Sequence, residues 1–443
     1  MKKVNFLAIA LLITGIIFPV SVQSQTIHIA QNPITQLPVT VDVVGEQEKI
    51  WKQDYENYLG ANFPQEVMNA KSISDTLRRI EGETGKKSAV IYLIPREKQL
   101  EIILVTPTGE PIRQSISAAN RNTLLKVARE LKNELTDTIK IDTTSYLASA
   151  QQLYQWLIVP IEKDLKAQNI DTLVFCVGEG LRSLPFAALH DGEKFLIEKY
   201  STGLIPAFSL TDTNYTDIRD FSVLAMGASQ FQNLAPLPAV PIELSTIVKN
   251  QGGRNIINEK FTVRNLRLQR QIKPYKKIIH LATHGSFTSG TVSNSYIQFW
   301  NTRLRLNQLR NLKLNVPPVD LLVLSACTTA LGDQNAELGF SGLALEAGVK
   351  SAMGSLWFVS DAGTLGLMIE FYNHLKTSPI KADALRSAQI EMLNGRIRIQ
   401  EGQLQQLRLK TETPLPPEIA EMGDINLSHP YYWAAFTMIG GPW

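Results

Sequence analysis

Two stretches decide the fold of this chain: Ile278-Ile279-His280-Leu281-Ala282-Thr283-His284-Gly285 and Leu321-Leu322-Val323-Leu324-Ser325-Ala326-Cys327-Thr328-Thr329. Both are apolar runs without strict two-residue alternation, the pattern of strands buried on both faces of a parallel sheet covered by helices. Both also end in residues of reactive type. In open α/β sheets, reactive groups gather beyond the carboxyl ends of strands, which is where His284 and Cys327 fall.

Outward from this pair, further apolar runs at Ser222–Met226, Lys350–Trp357 and Tyr431–Ile439 read as strands. They alternate with helical patterns at Ile242–Asn250, Ala336–Ala347, Asp361–Leu375 and Ala382–Met392; in the third, Leu365, Met368, Phe371, Tyr372 and Leu375 share one stripe. Residues 216–443 are therefore expected to form an α/β half around a mostly parallel sheet flanked by helices. Residues 393–429, rich in Gln, Pro and charge, are expected as an extended helix followed by a surface loop. Upstream, Ser88–Ile94 and Leu100–Thr106 around the charged turn Arg96–Lys98 predict a hairpin. Helical patterns at 118–136 and 145–167 and the strand Leu173–Val177 follow, so 49–215 is expected as a smaller helical and α/β half. No period of 20–50 residues recurs, which argues against a repeat array.

The front of the chain differs. Lys2 and Lys3 precede an apolar run from Val4 to Val20, and Val22 and Ser24 suit the positions before a signal-peptidase cut, so residues 1–24 are expected to be a signal peptide. The run is short for a membrane span and is interrupted by Asn5, Thr14, Gly15 and Pro19. A membrane association is expected only if that segment stays uncleaved. Residues 25–48, polar and punctuated by proline, are expected as a leader or linker. Removing 1–24 takes away two of the 44 lysines and arginines and none of the 41 acids. The remainder is within one charge of neutral, so no nucleic-acid partner is implied. The basic cluster Arg264, Arg267, Arg270, Lys273, Lys276 and Lys277 reads as a solvated helix face. With only two cysteines, Cys176 and Cys327, a disulfide framework is excluded even for an exported protein. Cys176 lies inside an apolar strand, where a thiol acts as a small hydrophobe.

A cysteine becomes a nucleophile when a neighbour takes its proton, and histidine is the usual neighbour near neutral pH. From His284 to Cys327 is 43 residues, enough for one crossover between adjacent parallel strands. Gly285, with no side chain, could offer its N–H to an oxyanion together with the amide of Cys327. On these residues alone, a structural histidine and a core cysteine are the commoner readings; His280, inside its strand, is read as buried. No set of His, Cys, Asp and Glu surrounds either residue at metal-ligand spacing. Ser183 and Ser325 lack the G-x-S-x-G elbow of serine hydrolases.

Several ordered motifs raise the weight of the pair: GLRSLPFAAL at 180–189, LPAVPIEL at 237–244, HLATHG at 280–285, LVLSACTTALGD at 322–333, GLALEAGVKSAMGSLWFVSDAGT at 342–364, ALRSAQ at 384–389 and HPYYWAAFTMIG at 429–440. Over about 170–443 the chain resembles CHAT-domain proteins, members of the caspase-like peptidase group that includes separases and metacaspases. That resemblance implies a caspase-like sheet, with 49–215 as a degenerate or family-specific half. It places His284 and Cys327 on the catalytic dyad, the general base and the nucleophile. By likeness to separases, Asp361 would select a basic residue before the scissile bond, although an aspartate there also suits a helix N-cap. Asp333 and Glu337 are weaker candidates for the same pocket. The implied activity is an exported cysteine endopeptidase acting on a protein or peptide substrate, with neither metal nor organic cofactor. The alternative is a catalytically idle interaction module. The motifs carry no signal of oligomeric state.

Overall fold

A computed structural model describes residues 35–36, 42–63, 66–329 and 333–443, with the backbone alone at 35–36 and 326–329. The signal-peptide reading and most of the 25–48 leader lie outside the described residues. Along the chain, β1 (Thr35–Gln36), α1 (Val43–Leu59) and α2 (Ala70–Thr84) precede β2 (Ser88–Pro95), β3 (Leu100–Val105) and β4 (Ile112–Ile116). Helices α3 (Arg121–Thr136), α4 (Leu147–Leu157) and α5 (Val159–Ala167) lead to β5 (Thr172–Val177), and α6 (Leu196–Lys199) leads to β6 (Ser201–Ile205). The expected hairpin forms, with Val90 opposite Val105 and Pro95 opposite Leu100. The 145–167 helix divides at Ile158 because Pro160 enters the first turn of α5, where its missing N–H costs nothing. Residues 43–48, placed in the leader from sequence, already belong to α1, whose N-cap Asp42 accepts the Gly45 N–H at 2.9 Å.

The second half runs β7 (Val223–Gly227), α7 (Val240–Gln251), β8 (Gly253–Ile257), α8 (Val263–Arg270), β9 (Ile278–Phe287), β10 (Tyr296–Gln298), β11 (Arg303–Arg305) and β12 (Leu321–Thr329). It continues with α9 (Gln334–Ser341), α10 (Leu343–Ala347), β13 (Ser351–Ser355), α11 (Asp361–Leu375) and α12 (Lys381–Leu393). Next come β14 (Ile397–Gln400), β15 (Gln403–Gln406), β16 (Thr411–Pro414), α13 (Pro417–Ala420), β17 (Ile425–Asn426), α14 (Pro430–Trp433) and β18 (Phe436–Gly440).

Two expectations are corrected here. Residues 393–429 are not an extended helix: β14 to β17 form a small antiparallel sheet. Ile397 and Ile399 point inward while Arg398 and Gln400 are half-exposed, a period of two. Glu401 and Gly402, with φ of 52° and 71°, make the two-residue turn that matches strand twist. The run 431–439 is not one strand either. His429 caps α14, with Pro430 in the first turn, and the strand starts only at Phe436.

Among the described residues fourteen strands form one sheet, in the order β1-β4-β3-β2-β5-β6-β18-β13-β12-β9-β10-β11, with β7 beside β9 and β8 outside β7. The smaller half therefore extends the same sheet edge to edge rather than packing on it as a separate layer. The parallel pairs β12–β13, β9–β12 and β7–β9 make its centre, and Ile278, Ile279, Leu321 and Leu322 are buried there with α7 and α11 among the covering helices. Helix α1 ties the halves together. Buried Glu48 accepts N–H groups of Phe208 at 2.9 Å and Ser209 at 2.7 Å and the Tyr92 hydroxyl at 2.8 Å, while the Tyr55 hydroxyl bonds Ser341 of α9 at 2.6 Å. The basic cluster is solvated at Arg264, Arg267 and Lys273, but Arg270 is buried and donates to the carbonyls of Lys313 and Pro317.

Candidate active site

Strands β9 and β12 run parallel, with Leu321 opposite Ile278 and Leu324 opposite Leu281. The register then slips by one residue, so that Ala326 faces His284 and Cys327 faces Gly285. The neighbours stop earlier: β7 reaches only Ala282 of β9, and β13 only Val323 of β12. His284 and Cys327 thus stand one residue out of register on adjacent strands, about 4.8 Å between strands, past the last residues that β7 and β13 pair. Both strands continue past them, to Phe287 and Thr329, so the pair lies within paired strand and not after it. Gly285 sits in the ladder between Cys327 and Ile297 of β10. The Cys327 side chain lies outside the described residues.

The His284 ring is held on two sides. Its Nε2 lies 2.8 Å from the carbonyl oxygen of Ala235. A carbonyl only accepts, so Nε2 carries the hydrogen and neutral His284 keeps its lone pair on Nδ1. Phe231 meets the ring edge-on, with centroids 4.8 Å apart. Burial lowers the His284 pKa below its ordinary value, with the Ala235 carbonyl opposing; the ring is therefore kept in its basic form. Neither contact was anticipated from sequence, because any residue can supply a carbonyl at position 235.

Asp361 opens α11 but does not cap it. Ser360 does, accepting the Gly363 N–H at 3.1 Å, one position earlier than the capping alternative required. The Asp361 carboxylate is instead turned to α7, where Oδ2 accepts the Ala239 N–H at 2.6 Å. The segment Ala235-Pro236-Leu237-Pro238-Ala239 is thereby fixed at one end to His284 and at the other to Asp361. Burial raises the Asp361 carboxyl to about 7, with nearby Glu243 adding to the rise and the Ala239 N–H opposing it.

The other acidic candidates are engaged elsewhere. Asp333 caps α9 through the Ala336 N–H at 2.9 Å. Glu337 is 1% exposed, and its two oxygens accept the Gly180 N–H at 2.9 Å and the Ser183 hydroxyl at 2.7 Å. It anchors the GLRSLP loop of the smaller half to α9, the first helix after β12. His280 is fully buried, with Nε2 2.7 Å from Glu243 Oε1 and Nδ1 3.2 Å from the Tyr372 hydroxyl. Cys176 is likewise buried, 3.6 Å from the Pro206 carbonyl, and desolvation pushes its thiol well above the ordinary value, which keeps it inert. Among the described residues no group of three or more His, Cys, Asp or Glu is placed to hold a metal ion.

A family model described as the CHAT domain matches residues 147–441. No curated protein matches the sequence. Among solved structures, a chain of the Saccharomyces cerevisiae separase–securin complex at 2.6 Å aligns at 10% identity with a TM-score of 0.46, covering 85% of this chain and 32% of that one. The same complex at 3.0 Å aligns at 11% with a TM-score of 0.47, covering 84% and 31%. This chain spans about a third of the length of those chains.

Proposed function

The chain belongs to the CHAT-domain family, a caspase-like group, and from that premise we propose that it is a cysteine endopeptidase with His284 as general base and Cys327 as nucleophile. The observation that supports this reading is that His284 and Cys327 lie on the adjacent parallel strands β9 and β12, past the last residues that β7 and β13 pair. In the proposed reaction Nδ1 of His284 takes the thiol proton and the sulfur attacks the scissile carbonyl carbon. The oxyanion donors proposed are the backbone amides of Cys327 and of Gly285 on the adjacent strand. His284 then protonates the leaving amine as the C–N bond breaks, and water hydrolyses the thioester to return the thiol.

Asp361 is the acid proposed to select Arg or Lys before the scissile bond; Asp333 and Glu337 spend their carboxylates on a cap and a loop. A desolvated carboxylate gains most from a cationic partner. Export is part of the same proposal, resting on Lys2, Lys3 and the apolar run to Val20, and a mature N-terminus at Gln25 is its expected mark.

The test is labelling with a peptidyl electrophile. Wild type is expected to be modified at Cys327 and the His284→Ala variant not, and peptide-library cleavage should favour Arg and Lys before the cut in wild type and lose that preference in Asp361→Ala. If neither labelling nor cleavage occurs, the idle interaction module is the correct reading.

A further inference from the structure

Beside His284 lies a cleft of about 690 Å³, formed by the loop that follows β7 and by the β10–β11 turn. Its lining includes Gln232 and Asn233 from the loop and Gln298, Trp300, Asn301 and Arg303 from the turn. The cleft shares a wall with the site described above, because Phe231 lines it and also meets the His284 ring. It lies on one side of that site only: β7 and β10 flank β9 on the edge opposite β12.

That placement has a chemical consequence. In a His/Cys acyl transfer the histidine returns its proton to the departing amine, so the segment after the scissile bond must leave on the histidine side. The acyl part stays with the cysteine, on the β12 side. Resting on the endopeptidase reading, we infer that this cleft binds the residues following the scissile bond and prefers acidic or neutral polar side chains there over basic ones. The volume falls in the range of about 300–1,000 Å³ usual for ligand sites. Side-chain amides at Gln232, Asn233 and Asn301 can donate and accept along a peptide main chain, while Gln298 spends its amide on the turn itself, donating to the Phe299 carbonyl at 2.6 Å, and Trp300 offers a flat apolar surface with little entropy to lose. Among the described residues no carboxylate lines the cleft, and Arg303 is exposed with its guanidinium 4.5 Å from the centre of the Tyr296 ring. Its Nε donates to Gln298 Oε1 at 3.4 Å, and among the described residues no acid forms an ion pair with it, which leaves its two terminal nitrogens for a carboxylate of the substrate.

The experiment compares wild type, Arg303→Glu and Trp300→Ala with two probes. An arginyl electrophile lacking any residue after the reactive carbon reports the His284–Cys327 centre alone. A peptide library with Arg before the cut and Asp, Glu, Gln, Lys or Arg in the following three positions reports the cleft. Labelling of Cys327 is expected to be equal in all three proteins. Wild type should cleave acidic members about tenfold faster than basic ones, the size of one charge-assisted contact; Arg303→Glu should invert that order and Trp300→Ala should slow every member. Normal labelling with an unchanged preference in Arg303→Glu overturns the inference and leaves the endopeptidase reading intact. Labelling without cleavage of any member overturns the inference as well. Absence of labelling in wild type removes the endopeptidase reading, and this inference with it.

Discussion

At His284 two forces of opposite sign meet. Burial depresses its proton affinity, and the Ala235 carbonyl holds the proton on Nε2. The neutral ring, with its basic Nδ1, should therefore persist to a pH below the ordinary histidine value of 6.5. The acid limb of Cys327 labelling is expected to have its midpoint below that value, measured as labelling rate against pH; a midpoint above it would rule out His284, in this environment, as the base. Asp361 shows the reverse shift. Its carboxyl is raised from 3.8 to about 7 by burial, so between those values the native state binds a proton that the unfolded chain has released. Stability contributed by this group is thus present at low pH and declines as pH rises through the window. Asp361→Asn keeps an acceptor for the Ala239 N–H and removes the ionisation. It should melt higher than wild type at about pH 8 and nearly the same at about pH 4.

At the level of elements, α9 is the part whose sequence reading needed the fold. Its Glu337 closes the loop at Gly180–Ser183, and close by is Lys132 of α3, whose Nζ is buried without a hydrogen-bond partner and whose pKa burial lowers to about 7 while Glu337 opposes the drop. Glu337→Ala would strand a half-buried N–H, a buried hydroxyl and a buried amine together. The expected cost is about 3 kcal/mol in urea denaturation, with Glu337→Gln, which keeps one carbonyl acceptor, losing less. Because α9 is the first helix after β12, Glu337→Ala should also slow electrophile labelling. Equal stability in the Ala variant would show that this clamp contributes nothing.

The molecule as a whole is tied by its sheet. Residues 34–443 form one compact unit, and β18 of the second half is hydrogen-bonded between β13 and β6. A fragment of 216–443 would expose the β18 edge and the apolar faces that β5, β6 and α1 cover, an arrangement prone to aggregation. That fragment is expected to be insoluble or unfolded alone, by circular dichroism and limited proteolysis, and to be recovered by co-expression with the first half. A soluble, cooperative fragment would mean that the two halves are independent.

What the sequence determined by itself follows from local chemistry. Unalternating apolar runs such as Ile278–Ala282 and Leu321–Leu324 demand a sheet covered on both faces, their polar ends mark where chemistry would stand, and the ordered motifs point to the family. Patterns that depend on distant partners were not legible. Residues 393–429 looked like helix because polar, charged residues suit an exposed helix as readily as an exposed strand; the Glu401-Gly402 turn and the inward Ile397 and Ile399 acquire meaning only against the core they cover. Glu337 looked like a free acid until the loop at 180–183 was brought to it. Only the tertiary structure decided that Ala235 holds the His284 ring and that Asp361 is turned toward α7. A carbonyl has no side-chain signature, and the direction of a buried carboxylate is set by whichever donor the fold leaves within reach.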